Sequence, residues 1–441
     1  MRETIIQFGE GNFLRGFADS FIQKLNEQGL YDGKAVVIQP RSGGKVHALN
    51  GQACKYNLYV RGIENGKVVN KHVKIESISR GIDPYTDFED YIELAKNPDF
   101  RFIISNTTEA GIEYIDSNLF SDKPAKSFPG KLTQLLYARF GAGLAGFVIL
   151  PCELIDNNAD ELKRCVMCYA KQWNLGDDFT AWLENENKFC NTLVDRIVTG
   201  YPDDEAASLC AEIGYDDKFL DTSEIYHFWA IEGNFEEELP LQKAGFNVVW
   251  TDSVVPYKKR KVRVLNGAHT SMVFPAMLCG IETVGECLED EQIKGFLKDC
   301  LFEYILPMLG EPEENISFAN AVLERFANPY IKHKLKSISL NSVSKFSVRV
   351  LPTMLDWYEK NGSYPKPLAF SLAALIYYYK KNDPQDSESV IEYIKDNSIE
   401  AILSNVDLWG ADLSALLPTV SESIRRIEHD GVREALIWAL S

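Results

Sequence analysis

A lysine, an asparagine and a histidine stand close together in a stretch that is predicted to be helical: Lys261, Asn266 and His269. On an α-helix, at about 100° per residue, Lys261 and Asn266 lie about 140° apart, whereas Asn266 and His269 share a face. Reduction of a ketone requires a proton donor near the carbonyl oxygen and hydrogen bonds that stabilise the forming alkoxide. Lys261 is the candidate donor if burial or neighbouring cations lower its pKa, Asn266 the candidate for polarising the carbonyl, and His269 for orienting substrate or lysine. Spacing alone favours a basic, solvated helix with a packed histidine.

A glycine-rich turn follows the first predicted strand and opens the first predicted helix. Gly9 permits a tight turn, and Gly11 lets backbone N–H groups approach a pyrophosphate. Leu14 stands where the usual GxGxxG fingerprint has its third glycine, so the match is partial, and a purely structural turn is the alternative. The position directly after the first strand favours dinucleotide binding. The candidate cofactor-binding residues are Gly9, Gly11, Asn12, Phe13 and Arg15, the last as a charge near the phosphates.

The sequence leaves the choice between NAD and NADP open. A fold that binds NAD usually has Asp or Glu at the end of the second strand, where the carboxylate holds the ribose diol. Residues 38–42 read Ile-Gln-Pro-Arg-Ser and contain no carboxylate. Arg41 could meet the 2′-phosphate of NADP.

Four short apolar segments alternate with helical patterns in the first half of the chain, which predicts a parallel, doubly wound sheet. Residues 56–80 alternate apolar and polar side chains around Asn65-Gly66, which predicts an antiparallel insertion. From about Lys258 onward the pattern is mainly helical. We therefore predict an α/β fold, with a Rossmann-like dinucleotide-binding domain in residues 1–255 and a helical substrate and catalytic domain in residues 256–441. The predicted strands are residues 4–8, 35–39, 100–105 and 146–150.

Bulk properties narrow the class of protein. The formal net charge of −18 argues against nucleic-acid binding, and the absence of a long apolar run argues against a membrane span. The beginning of the chain leaves no room for a signal peptide, so we expect a cytoplasmic protein. Cys165 and Cys168 have CxxC spacing on a predicted helix, but no second pair and no nearby histidine complete a zinc set. We expect no metal, a small-molecule substrate, and a monomer or small homo-oligomer.

Four ordered motifs together resemble the mannitol dehydrogenase family of polyol-specific long-chain dehydrogenases. The resemblance implies a metal-independent, NAD-linked oxidoreductase in which Lys261 is the general acid/base and Asn266 holds the carbonyl oxygen. It also implies that Asp195 binds substrate hydroxyls and that Lys345 contacts substrate. The motifs are Lys261-x4-Asn266-x2-His269, the GxGxFxR turn of residues 9–15, NTLVDRI at 191–197 with WAIE at 229–232, and DSVVPY at 252–257.

Residues 5–15, 104–111 and 339–346 are similar to a subgroup of that family that reduces hexuronates, which implies reversible reduction of D-tagaturonate to D-altronate in hexuronate catabolism. Three departures from the polyol enzymes accompany this likeness: Lys258 replaces a glutamate, Ser337 an arginine and Leu154 an asparagine. Asn157 or Asn158 could supply the missing amide.

An acidic sugar needs a fixed cation for its carboxylate, and Lys345 or Arg349 could serve. The alternatives within the family are fructuronate reductase and a mannitol or polyol 2-dehydrogenase. An alternative of another class is a non-catalytic dinucleotide sensor, against which the intact Lys261, Asn266 and His269 set argues.

Overall fold

The computed structural model describes residues 1–108, 110–310 and 312–441. Glu109, which belongs to the hexuronate-like segment 104–111, therefore lies outside the described residues. The chain divides into two compact units. The first comprises residues 1–61 and 69–255, and the second comprises residues 62–68 and 256–441.

The described residues form twelve strands, which belong to three sheets. In chain order these are β1 Arg2–Phe8, β2 Gly33–Ile38, β3 Tyr56–Glu64, β4 Lys67–Ile75, β5 Ile78–Ile82, β6 Phe102–Ser105, β7 Val148–Pro151, β8 Lys188–Phe189, β9 Thr192–Asp195, β10 Asp221–Glu224, β11 Phe228–Glu232 and β12 Val248–Thr251.

The largest sheet confirms the doubly wound prediction. Its strand order is β5-β2-β1-β6-β7-β8, and every neighbouring pair is parallel. The chain moves outward from β1 on one side and then restarts at β6 on the other, so the order reverses between β1 and β6. In open sheets of this kind ligands bind at the carboxyl ends of the strands, where the order reverses.

The insertion is shorter than predicted. β3 and β4 are neighbours joined by Asn65 and Gly66, both of which have positive φ (53° and 72°), as a two-residue hairpin turn requires. Residues 78–80, the last three of the predicted insertion, instead belong to β5, which extends the main sheet beside β2. The buried Ile78 and Ile82 supply the apolar ends of that strand.

Helices cover both faces of the main sheet. The helices that begin in the first unit are α1 Asn12–Gly16, α2 Ala18–Glu27, α3 Val46–Gly51, α4 Phe88–Glu93, α5 Phe128–Gly141, α6 Asn158–Gln172, α7 Asp177–Glu186, α8 Ala206–Ile213 and α9 Val255–Lys261. One core lies under α5 and α6 and contains Phe8, Leu132 and Val166. The opposite core contains Phe17 and Phe21. The helix predicted to follow the glycine turn forms as two helices, α1 and α2, because the chain bends at Phe17 (φ −123°, ψ −90°).

The second unit confirms the helical prediction. Its helices after α9 are α10 Gly267–Leu278, α11 Val284–Glu289, α12 Glu291–Asp299, α13 Pro312–Phe326, α14 Leu335–Ile338, α15 Ser342–Arg349, α16 Leu351–Asn361, α17 Lys366–Lys381, α18 Glu388–Asp396, α19 Ile399–Ser404, α20 Val406–Trp409, α21 Leu417–His429 and α22 Val432–Leu440. Two π-helical segments, Val262–Asn266 and Cys300–Ile305, follow α9 and α12 directly.

Candidate active site

The glycine turn after β1 forms one wall of a cavity of about 320 Å³ at the carboxyl ends of β1, β2 and β6. Gly9 has a φ of +123°, and a Cβ atom on it would lie 2.8 Å from the carbonyl oxygen of Asn106, so only glycine fits there. Gly11 faces open space, with no heavy atom within 4 Å of the position that a Cβ would take. A cavity of this volume, at the reversal point of a parallel sheet, fits part of a dinucleotide.

The other predicted cofactor residues occupy three different environments. Asn12 is exposed at the start of α1, and Phe13 is half-buried, with its ring stacked 5.0 Å from that of Phe17. Arg15 points into the protein, where its guanidinium donates to the carbonyl of Phe219 and lies 3.8 Å from Asp221. Because α1 turns this side chain inward, the geometry favours a structural role for Arg15 over the predicted contact with phosphate.

The end of β2 contains a glutamine whose polar atoms are already used. Gln39 is buried, its amide nitrogen donates to Asp83 (3.0 Å), and its oxygen accepts the N–H of Val46 (3.3 Å). Gln39 therefore has no free group for a ribose. Pro40 and the exposed Arg41 line the cavity next to it.

A buried carboxylate supports the part of the cavity that follows β6. Glu153 accepts hydrogen bonds from the Thr107 backbone N–H, the Thr107 hydroxyl and the Ser105 hydroxyl, all at 3.0 Å. Burial raises the pKa of this carboxyl group. Glu153 thus fixes the backbone of Thr107, which lines the cavity. Sequence reasoning missed this residue, although it follows the predicted strand 146–150 closely.

The two asparagines named as replacements for the missing amide differ in burial: Asn157 is exposed, whereas Asn158 is buried and hydrogen-bonded. Leu154 itself is 61% exposed. Asn158 is buried and donates to the carbonyls of Pro151, Glu153 and Thr192 at 3.0–3.1 Å. Asn158 therefore holds the chain between β7 and β9, and the prediction that it might contact substrate is not supported by its geometry.

Asp195 is the last residue of β9 in the first unit and is buried. The neighbouring Arg196 donates to the carbonyls of Gly16 (2.8 Å) and Glu224 (2.9 Å), and burial lowers its pKa to about 10. The VDRI motif thus combines a structural arginine with a carboxylate at a strand end. The contact between Asp195 and substrate hydroxyls stays a prediction.

In the second unit, the lysine motif lies on a π-helical turn. Lys261 is the last residue of α9, and Val262–Asn266 form the π-helical segment that leads into α10. A π-helix turns through a smaller angle per residue than an α-helix, so Lys261 and Asn266 lie nearer to the same side of the helix than α-helical periodicity predicts. The predicted separation of 140° is therefore wrong, because it assumed α-helical periodicity. Lys261, Asn266 and His269 are all half-buried.

The His269 ring packs between two other rings. It stacks on Phe326 at 4.1 Å, with an angle of 16° between the planes, and meets the edge of His333 at 5.1 Å. Its Nε2 atom is buried and has no hydrogen-bond partner among the described residues. The pKa of His269 is well below its usual value, first because of burial and then because of nearby positive charge. The residues that contribute this charge are His333, Arg325, Arg349 and Lys345.

Two of these cations lie on α15, four residues apart. Lys345 donates to the carbonyl of Ile338 (2.9 Å), and its pKa is lowered by burial and by Arg349. The pKa of Arg349 is also lowered by burial. The structure thus brings the predicted residues His269, Lys345 and Arg349 together. It adds Arg325 and His333, which sequence reasoning missed because they lie far from His269 in the chain.

The CxxC thiols have the properties of packed side chains. Cys165 is buried, and burial raises its pKa to about 11. Within residues 1–108, 110–310 and 312–441, no group of three or more His, Cys, Asp or Glu side chains is arranged to hold a metal ion. None of the described helices is long and apolar enough to cross a membrane.

Two family models cover most of the chain. Residues 3–243 match the mannitol dehydrogenase Rossmann domain, and residues 253–429 match the mannitol dehydrogenase C-terminal domain. The chain belongs to the mannitol dehydrogenase family. This membership makes it an oxidoreductase that acts on CH–OH groups, and it confirms the resemblance found in the sequence motifs.

Curated members of the mannitol dehydrogenase family match nearly the whole chain. An altronate oxidoreductase of Bacillus subtilis is 43% identical, covering 98% of this chain and 94% of its own length. An altronate oxidoreductase of Yersinia enterocolitica is 44% identical, covering 98% of this chain and 96% of its own length. These relatives support a dehydrogenase of polyols or sugar acids.

Two solved structures of dehydrogenases show the same fold. A substrate-free D-sorbitol dehydrogenase has a TM-score of 0.87 at 24% identity, covering 99% of this chain and 95% of its own. Mannitol 2-dehydrogenase of Pseudomonas fluorescens, in a ternary complex with NAD and D-mannitol, has a TM-score of 0.70 at 22% identity, covering 100% and 94%. Together with the Rossmann-domain match, the latter indicates a nicotinamide dinucleotide cofactor.

Proposed function

We propose that this protein is a tagaturonate reductase, or altronate oxidoreductase, which interconverts D-tagaturonate and D-altronate with NAD in hexuronate catabolism, and we expect it to work in the cytoplasm. The observation that carries this proposal is that α15, which holds Lys345 and Arg349, packs against α10, which holds His269. A polyol has no charge to place there, whereas a uronate carries a carboxylate. The names of the curated relatives support the same substrate class.

The lysine motif suits the proton chemistry of a ketone reduction. NADH, when bound, supplies the hydride. Lys261 donates a proton to the carbonyl oxygen in reduction and removes it in oxidation. The Asn266 amide, which the π-helical segment brings nearer to the side of Lys261, donates a hydrogen bond that stabilises the forming alkoxide.

His269 is suited to orienting the reactants without carrying charge. Burial and the nearby cations keep its pKa low, so the imidazole is neutral at physiological pH. Its buried Nε2 is available to a substrate hydroxyl or to the lysine. We assign the substrate carboxylate to Arg349, which can bind it through two parallel hydrogen bonds, with Lys345 as a second cation. Asp195 is our candidate for substrate hydroxyls.

One set of assays tests this function. Oxidation of NADH, and separately of NADPH, is measured with D-tagaturonate, D-fructuronate and D-fructose as substrates. We expect D-tagaturonate to have the highest kcat/KM. Preference for D-fructuronate would make the protein a fructuronate reductase, and preference for D-fructose would make it a polyol dehydrogenase.

Lys261→Ala tests the mechanism. We expect kcat to fall by about a hundredfold to ten-thousandfold, since general acid–base catalysis typically contributes this much. NADH binding should persist. Undiminished turnover would refute the role of Lys261, and a wild-type protein that binds NADH but turns over none of the three substrates would favour the non-catalytic sensor.

A further inference from the structure

The carboxylate that usually selects NAD is absent from the end of β2, yet a carboxylate does lie at that corner of the cavity. Glu10, between the two glycines of the β1 turn, lines the cavity together with Pro40 and Arg41. Its Oε1 atom accepts the backbone N–H of Lys45 at 3.2 Å. The Glu10 side chain therefore reaches from the β1 turn to the loop that follows β2.

The loop after β2 is shaped to receive this side chain. A Cβ atom on Gly44 would lie 2.3 Å from Glu10 Oε1 and 2.6 Å from side-chain atoms of Gln39. The absence of a side chain at Gly44 thus leaves space for the Glu10 carboxylate to pack against the loop. In this fold, the end of β2 is where the adenosine ribose of a dinucleotide is recognised. Gln39, the residue at that strand end, is committed to Asp83 and Val46.

We propose that Glu10 determines cofactor preference, by accepting hydrogen bonds from the 2′- and 3′-hydroxyls of NAD and repelling the 2′-phosphate of NADP. This inference rests on the proposed dinucleotide site and adds the residue that discriminates within it. A carboxylate is a strong acceptor for a diol, and placing a phosphate against it opposes two negative charges. The exposed Arg41 acts in the opposite direction, because its cation attracts a 2′-phosphate.

The opposite charges of Glu10 and Arg41 can be removed one at a time in a pair of matched variants. Glu10→Gln keeps an oxygen that can accept the Lys45 N–H, so it removes the charge with little change of shape. Arg41→Gln removes the opposing charge from the same wall. Equilibrium dissociation constants for NADH and NADPH are measured by quenching of tryptophan fluorescence, without any sugar, alongside the melting temperature of each variant.

We expect wild type to bind NADH more tightly than NADPH. Glu10→Gln should shift the ratio of the two dissociation constants by about tenfold or more towards NADPH, at an unchanged melting temperature, and Arg41→Gln should shift it the other way. Gly44→Ala, which displaces the carboxylate without removing it, should resemble Glu10→Gln.

A ratio that stays within about twofold of wild type in Glu10→Gln would overturn the proposal, as would a shift towards NADH. Failure of wild type to bind either dinucleotide would overturn both Glu10's role and the proposed cofactor. By contrast, the protein could show a preference between NADH and NADPH that depends on Glu10 and yet not reduce D-tagaturonate. That result would leave this inference intact and refute only the proposed substrate.

Discussion

Arg15 in the first unit is buried and Lys345 and Arg349 in the second are half-buried, and nearby acids offset these cations to different degrees. In the first unit, the Arg15 guanidinium lies 3.8 Å from Asp221 and about 5 Å from the ring centres of Tyr56 and Phe219. In the second unit, Lys345 and its neighbouring cations surround a histidine. A cation that is matched by a buried acid completes the structure, whereas cations crowded together prepare a place for an anion from outside.

The charge on Lys345 is offset only weakly by its surroundings. Asp386 is the one acid among the described residues whose charge is identified as raising the pKa of Lys345, and burial and Arg349 outweigh it. Asp386 also accepts hydrogen bonds from the Tyr379 hydroxyl (2.8 Å) and the Val343 N–H (3.4 Å). Lys345 and Arg349 are thus partly desolvated, and the weak offset from Asp386 is the arrangement expected if a substrate supplies a carboxylate.

Arg15→Gln should have the largest effect, and it should act on stability. The substitution removes the cation that lies 3.8 Å from the fully buried Asp221 and leaves Arg196 to stabilise that carboxylate. Breaking such a buried pair costs about 3–5 kcal/mol. Urea denaturation measures this loss. Arg15→Gln combined with Asp221→Asn should recover part of it. A stable single variant that has lost affinity for NADH would show instead that Arg15 is the predicted phosphate ligand.

Arg349→Gln should affect catalysis and leave stability nearly unchanged. Loss of a charged hydrogen bond to substrate costs about 1.5–3 kcal/mol, so kcat/KM for D-tagaturonate should fall about a hundredfold. The control is Lys360→Gln, which removes an exposed cation at the end of α16. An equal fall in kcat/KM for D-fructose would contradict the proposal that Arg349 binds the substrate carboxylate, because an uncharged ketose has no carboxylate to bind.

The buried carboxylic acid Asp19, which interacts electrostatically with Arg15, should make the stability of the protein depend on pH. Burial raises the pKa of Asp19 to about 7, although its carboxylate accepts hydrogen bonds from Gln7 (3.2 Å) and Tyr56 (3.4 Å). Since the folded-state pKa lies above the unfolded value, stability is greatest below the unfolded pKa and is lost as the pH rises through 7.

Asp19→Asn should remove this dependence. Between pH 6 and pH 8, wild type should lose about 1 kcal/mol from this group, and the variant should lose less. Urea denaturation across this range measures the difference, with the exposed Asp204→Asn as control. An unchanged slope in Asp19→Asn would show that Arg15 offsets the burial of Asp19 completely.

The sequence predicted the parts of the fold that depend on local patterns. Continuous apolar segments gave the central strands, because strands covered by helices on both faces are buried along their length. β5 was misplaced because Ser79, Arg80 and Gly81 interrupt its apolar residues at the edge of the sheet. β8 has only two residues, too few to show any period.

The candidate site was less accessible to sequence reasoning. Gly9 could be identified because the glycines of its turn lie close together in the sequence. Its φ of +123° shows why a glycine is needed at that position. The π-helical turn between Lys261 and Asn266 could not be predicted from a pattern that assumed α-helical geometry. His333 and Glu153 depend on tertiary packing, so no spacing in the chain points to them.

The smallest effect should come from a single charge beside His269. Lys345→Met keeps an aliphatic side chain and removes one of the cations that lower the pKa of His269. Because burial is the main cause of that low pKa, removing one cation should raise the pKa of His269 only slightly. An NMR titration of the His269 ring measures the shift directly. The acidic limb of kcat/KM for D-fructose should move upward by the same amount, since protonation removes the acceptor at Nε2. The pKa of the His269 ring could shift in the NMR titration while the acidic limb of the kcat/KM profile stays unchanged. That result would show that the charge state of His269 does not limit the reaction, and that the cations act only in binding the carboxylate.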